Sequence, residues 1–291
     1  MRIALSLCAL ILAVAAGGCQ LLNDQAAIAK GGSPLRPVRA SRDSVRIEVV
    51  WARCDLNDAE LNDMVWNEID ETQVEPAVHR ELARNGFRVG VVSATPPDAI
   101  ARLLNMDAAT SHDQPNEHGL SSLDLGQEAS IHGSRRNLRR GERMEIRASE
   151  NLPMMPLLVC KGRDLHGRTL RDAQAIYSLQ IDPQPDQTVR VELTPEVHFG
   201  PSQMRWTGGD DGIDVVLRQL PMREREVFDS MRLGVRLAPG EMLVLAGLPD
   251  SGSRPGHYFH TAESVAGREQ KIMLIRLAQV PESDTFAAIA K

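Results

Sequence analysis

Apolar positions along the chain follow three successive patterns. Between residues 3 and 16 they run almost unbroken behind a single cation, Arg2. Residues 20–43 show no sustained period and are rich in Ala, Gly, Ser, Pro and Arg, so 19–43 reads as a flexible tether. From Ser44 an ordered alternation begins. Val45, Ile47, Val49 and Trp51 define one face of a strand against Arg46 and Glu48. Asn57 and Glu60 have capping-box spacing and open a helix bearing Leu61, Val65 and Ile69. A second helix carries Val74, Val78 and Leu82 and stops at Asn85-Gly86. Phe87, Val89 and Val91 give another strand, and Thr95-Pro96 starts a helix bearing Ile100. This order predicts a small α/β module over 44–104.

Residues 105–142 are polar and poorly periodic, and read as a long loop with short strands near 121–125 and 128–131. Arg135, Arg136, Arg139, Arg140 and Arg143 cluster at its end, either as a solvated loop edge or as a site for an anionic surface. From 143 to 291 the pattern is almost entirely β. Strands are expected at 143–148, 157–160, 173–181, 188–193, 215–217, 228–237, 241–248 and 271–277, with a polar stretch at 201–212. Asp182-Pro183, Gly208-Gly209 and Ala238-Pro239-Gly240 mark turns between them. The fold class is therefore α+β: a small N-terminal α/β module followed by a mainly antiparallel β domain, sandwich-like or partly closed.

A cation followed by about a dozen apolar residues makes 1–18 a secretory signal, too short for a bilayer that needs roughly 20. The junction Ala16-Gly17-Gly18-Cys19 resembles the lipobox of bacterial lipoproteins, although a larger aliphatic is commoner where Ala16 stands. The resemblance implies that Cys19 becomes an acylated amino terminus, and Gln20 after it implies sorting to the outer membrane, facing the periplasm. Ordinary cleavage after Ala15 or Ala16 is the alternative and yields a secreted soluble protein. Cys54 and Cys160 then remain, either as one disulfide or as separate strand residues. The net charge of -6 offers nothing to nucleic acid, and aromatics at 3% are too few for a ring-stacking ligand surface.

Four segments of the β region resemble the core domain of bacterial secretins, the ring-forming outer-membrane channels. Val189-Arg190-Val191-Glu192-Leu193-Thr194-Pro195-Glu196-Val197 is similar to their strand ending in Thr-Pro. Residues 237–248 are similar to their strand–Gly–strand segment, with Ala246 in place of a usual glycine. Gly256-His257-Tyr258-Phe259 and then Lys271 to Leu277 follow in the expected order, so that the likeness spans about 173–280. The resemblance implies that 189–197, 241–248 and 271–277 share a sheet. It also implies long apolar strands for a barrel, which the charged stretch 201–226 does not offer.

Signals for chemistry are sparse. His257, His260 and Glu263 follow Pro255-Gly256, which predicts a loop and no shared metal face. His112, Asp113 and His118 lack ligand spacing, and Gly208-Gly209-Asp210-Asp211-Gly212 with Asp214 lacks the alternation of a calcium loop. Ser130, His132 and Ser134 lie together without a nucleophile elbow. Trp66 widens a helix stripe, as core or as an exposed docking patch. No cofactor motif occurs. The expectation is a non-enzymatic cell-envelope lipoprotein with a structural, assembly or partner-binding role, through self-association or a protein partner. The alternative is an envelope hydrolase with its site near 105–140.

Overall fold

A computed structural model describes residues 44–55, 64–96, 98, 100–101, 131–209, 216–264 and 267–280. The described strands are β1 Val45–Asp55, β2 Phe87–Val92, β3 Ile131–Leu138, β4 Arg143–Arg147, β5 Leu152–Lys161, β6 Asp164–Pro183, β7 Val189–Gly209, β8 Val216–Val227, β9 Leu233–Leu237, β10 Met242–Gly247, β11 Thr261–Ser264 and β12 Gly267–Gln279. Helix α1 is Pro76–Arg84 and helix α2 is Pro255–His260. All the strand pairs are antiparallel. They form two sheets, one ordered β2-β10-β12-β1-β3 with β11 on β12, the other β4-β6-β7-β8 with β5 on β6 and β9 on β7. The fold is thus predominantly antiparallel β with a small α/β segment at its amino-terminal side.

The alternating residues of β1 explain how the sheets meet. Val45, Ile47 and Val49 share a core with Leu245, Met273 and Ile275 of the first sheet and with Tyr177, Leu179, Val191 and Leu193 of the second. The opposite face of the first sheet carries Ala52, Val244, Ile272 and Leu274, buried under Val65, Trp66, Ile69 and Ile100. Strands covered on both faces need apolar residues at consecutive positions, and Met242 to Ala246 are all buried. The strands of residues 44–104 therefore lie in the same sheet as β10 and β12, and the expected small module and β region share one core.

Several elements differ from the sequence expectation. The span read as a polar loop contains β3, which pairs with β1 from Val45↔Leu138 to Ala52↔Ile131. Residues 133–137 are exposed, so no alternation marks this strand; the backbone ladder and an ion pair of Arg135 to Glu48 at 2.8 Å hold it. Two more members of the arginine cluster pair with separate carboxylates, Arg140 with Asp182 at 2.7 Å and Arg143 with Glu196 at 2.7 Å. The stretch 201–209, read as a polar connection, continues β7 and pairs with β8. The segments similar to secretins fall in two sheets, β7 in one and β10 with β12 in the other. That assignment gives the resemblance no support.

Candidate functional site

Four of the ten Phe, Trp and Tyr residues gather where the sheets meet α2. Tyr177 of β6 lies 4.7 Å from the Phe259 ring, and Phe87 of β2 lies 5.4 Å from it. His260, the last residue of α2, is fully buried among them, with Trp51 of β1 at 5.8 Å. Its Nδ1 sits 2.8 Å from the Lys271 carbonyl, which only accepts, so Nδ1 carries the proton. Nε2 is then bare and accepts the Tyr177 hydroxyl at 2.6 Å. Burial lowers the His260 pKa to about 3 and drives that of Tyr177 well above its ordinary value, so both stay neutral. Both ring nitrogens are committed and the phenol donates. The set joins β6, α2 and β12 as a polar rivet inside an apolar core.

Lys271 adds a second link. Its ammonium donates to the Ala148 carbonyl, between β4 and β5, and faces the Trp51 ring at 5.5 Å. Burial lowers its pKa from 10.5 to about 8, with Arg53 adding to the effect and Glu150 opposing it. The native state therefore binds fewer protons than the unfolded chain between pH 8 and 10.5, and stability rises with pH across that window. Below pH 8 the cost of burying the ammonium is fully present. Lys271→Met is expected to abolish the rise and, after loss of the Ala148 bond, to be more stable at pH 7 by roughly 1–2 kcal/mol. Urea titrations at pH 7 and pH 9.5 read this; equal wild-type stabilities at the two values would contradict it.

Next to this core, the outer edge of β5 is sealed. Asn85, at the end of α1, donates from Nδ2 to the Cys160 carbonyl at 3.0 Å and accepts the Cys160 N–H on Oδ1 at 2.8 Å. Its carboxamide imitates the peptide of a neighbouring strand. Further along, the Leu158 N–H donates to the Ser253 carbonyl at 2.9 Å and the Tyr258 hydroxyl donates to the Pro156 carbonyl at 2.6 Å. An edge covered in this way cannot take another strand.

The second sheet behaves differently. β6 and β7 run 20 and 21 residues, against a usual ~5–6. They pair with each other only from Gln174↔His198 to Pro183↔Val189. Beyond that level β6 keeps only β5, and β7 keeps only β8, so two ribbons diverge. Continuing the register by two residues sets Asp172 opposite Gly200, and both have positive φ, 49° and 73°. A three-residue bulge, 200–202, follows on β7, where Pro201 has no N–H to donate. Arg168 of β6 bridges the base of the split to Glu226 of β8 at 2.9 Å and lies over the Phe199 ring at 5.4 Å. Arg223 donates to the Gly200 carbonyl at 3.0 Å and to Asn151 at 3.1 Å. Below, Glu196 is buried; burial draws its pKa upward, but His198, Arg143 and Arg225 together hold it below the usual carboxylate range.

The residues singled out from sequence separate. His257 and His260 lie on a helix rather than a loop, because Pro255 occupies its first turn; His260 enters the core while Glu263 is exposed on β11. His132 and Ser134 fall on β3 opposite Trp51 and Val49. Cys54 and Cys160 lie on strands of different sheets and are not joined to each other in a disulfide. Trp66 is buried under the Arg88 guanidinium at 4.5 Å, which makes it core. Gly208 and Gly209 end β7, and no group of three or more metal-ligating side chains occurs among the described residues. Cys19, His112, Asp113, His118, Ser130, Asp210, Asp211 and Asp214 lie outside the described residues. Sequence reading missed the Tyr177–His260 pair and Asn85, whose partners are distant in the chain. No family model, curated protein or solved structure matches this chain.

Proposed function

We propose that the chain is a non-enzymatic, lipid-anchored component of the cell envelope that acts by assembling with other protein chains. One observation carries the assembly role. The four large apolar side chains that the described residues leave most exposed, Met154, Leu158, Leu165 and Met204, all lie on the two ribbons of the second sheet. Exposed apolar groups collected on these two ribbons, with the rest of the described body keeping its large apolar groups covered, favour a protein contact. The buried His, Tyr and Lys groups support the non-enzymatic half, since each is spent on holding elements together. The anchor rests on the Gly17-Gly18-Cys19 junction, and the tether after it lets the body stand away from the membrane.

Native mass spectrometry of protein extracted from the envelope in mild detergent tests both halves. The expected result is an assembly of more than one chain whose released subunit begins at Cys19 and carries acyl mass. An unmodified subunit removes the anchor. A lone chain removes the assembly role.

A further inference from the structure

The split in the second sheet leaves two long backbone edges unpaired among the described residues, one on β6 over 164–172 and one on β7 over 201–209. Bare N–H and C=O groups in a row are a template for another strand. We propose that a second copy of this chain fills them, β7 of one copy lying antiparallel against β6 of the next. This rests on the assembly role proposed above and names its partner and contact.

Three observations select that occupant. First, β6 and β7 already pair with each other from Gln174↔His198 downward, so contact between copies prolongs a ladder these two strands are built to make. Second, a single chain is held from closing the split on itself. The positive-φ pair Asp172 and Gly200 and the 200–202 bulge interrupt the β6–β7 register, and the Arg168–Glu226 bridge and the Arg223 bonds to Gly200 and Asn151 fix the directions in which the two ribbons leave that level. Third, the other edge of the β5–β6 ribbon, on β5, is sealed by Asn85, Ser253 and Tyr258, so strand addition to that ribbon falls to its β6 edge. Leu165, 60% exposed on β6, and Met204, 60% exposed on β7, flank the two open edges and would be covered by the same contact. Because the two edges differ, the contact is heterologous: each copy presents one edge and receives the other.

The test uses the full chain with Cys54→Ser and Cys160→Ser, carrying either Thr169→Cys or Gln203→Cys and a distinct affinity tag on each. The continued β6–β7 register pairs Thr169 with Gln203, and both are exposed. The two variants are co-expressed and treated with a short bis-maleimide, and circular dichroism and thermal melting against wild type check that each is folded. The expected result is a two-tag dimer from the mixed pair and its loss on adding Leu165→Glu. Four results overturn the proposal. A multi-chain assembly without the mixed cross-link places the contact elsewhere and leaves the assembly role standing. An assembly holding only one copy with a different protein assigns the edges to another partner. In a chain carrying both Thr169→Cys and Gln203→Cys, cross-linking within that one chain shows that the split closes on itself. A monomer with no partner removes the assembly role as well.

Discussion

His260→Gln is expected to lose most of the acid sensitivity that wild type shows between pH 6.5 and pH 3. The sign follows from linkage. The native pKa, about 3, lies below the unfolded value of 6.5, so within that window the unfolded chain holds a proton that the native state lacks. Stability is fully present above pH 6.5 and falls with pH at about 1.4 kcal/mol per pH unit, reaching on the order of 4–5 kcal/mol. The ring cannot accept a proton in place because Nε2 is occupied by the Tyr177 hydroxyl and no carboxylate is bonded to the imidazole. Glutamine does not titrate, and its amide can donate to the Lys271 carbonyl and accept from Tyr177. The variant is less stable at pH 7, through imperfect packing against Phe87 and Trp51, but its profile is flatter. Urea titrations from pH 7 to pH 4 on both proteins measure the difference. Parallel profiles would show that the carboxylates alone carry the acid sensitivity.

Gly256→Ala is expected to be the most damaging small substitution in α2. An added Cβ would stand 2.0 Å from the Gly86 carbonyl oxygen and 2.2 Å from its carbon. Both neighbours are backbone, fixed by the Gly256 N–H to Asn85 carbonyl bond at 2.9 Å and the Leu248 N–H to Gly86 carbonyl bond at 2.8 Å. Relief requires α2 to move off the Asn85-Gly86 turn, drawing Phe259 and His260 out of the ring cluster and Asn85 away from the β5 edge. The expected cost is about 3 kcal/mol or more, a fall in melting temperature of roughly 6–12 °C. Gly162→Ala, in the β5–β6 turn with φ 62° and nothing within 4 Å, serves as the control for backbone strain alone at about 1–2 kcal/mol. A Gly256→Ala protein that melts no lower than this control would contradict the close packing of α2.

What the sequence revealed depended on whether a strand has one buried face. β4, β9 and the 45–49 part of β1 do, and their alternation marks them: Leu233, Val235 and Leu237 are buried while Gly234 and Arg236 are exposed. α1 was legible from Val78 and Leu82 and from its stop at Asn85-Gly86. β3, the first half of β6 and the far half of β7 were not, because residues 133–137, 164–169 and 201–204 face water and leave no period to read. The polar composition of 201–209 argued for a turn, yet ladder bonds to β8 hold it extended. Asn85 carried a signal for a helix end, but its role on Cys160, 75 residues away, depends on tertiary contact. Pro255-Gly256 misled for a similar reason: the proline starts a helix, and the glycine is required by the approach to Gly86 rather than by a turn.

The reading of this chain as an anchored assembly component stands most directly on its mass as it leaves the envelope. Native mass spectrometry of the mild-detergent extract should show a complex of more than one chain. Each subunit released from it should start at Cys19 with acyl groups attached. A single, unacylated chain under the same conditions would contradict both the anchor and the assembly.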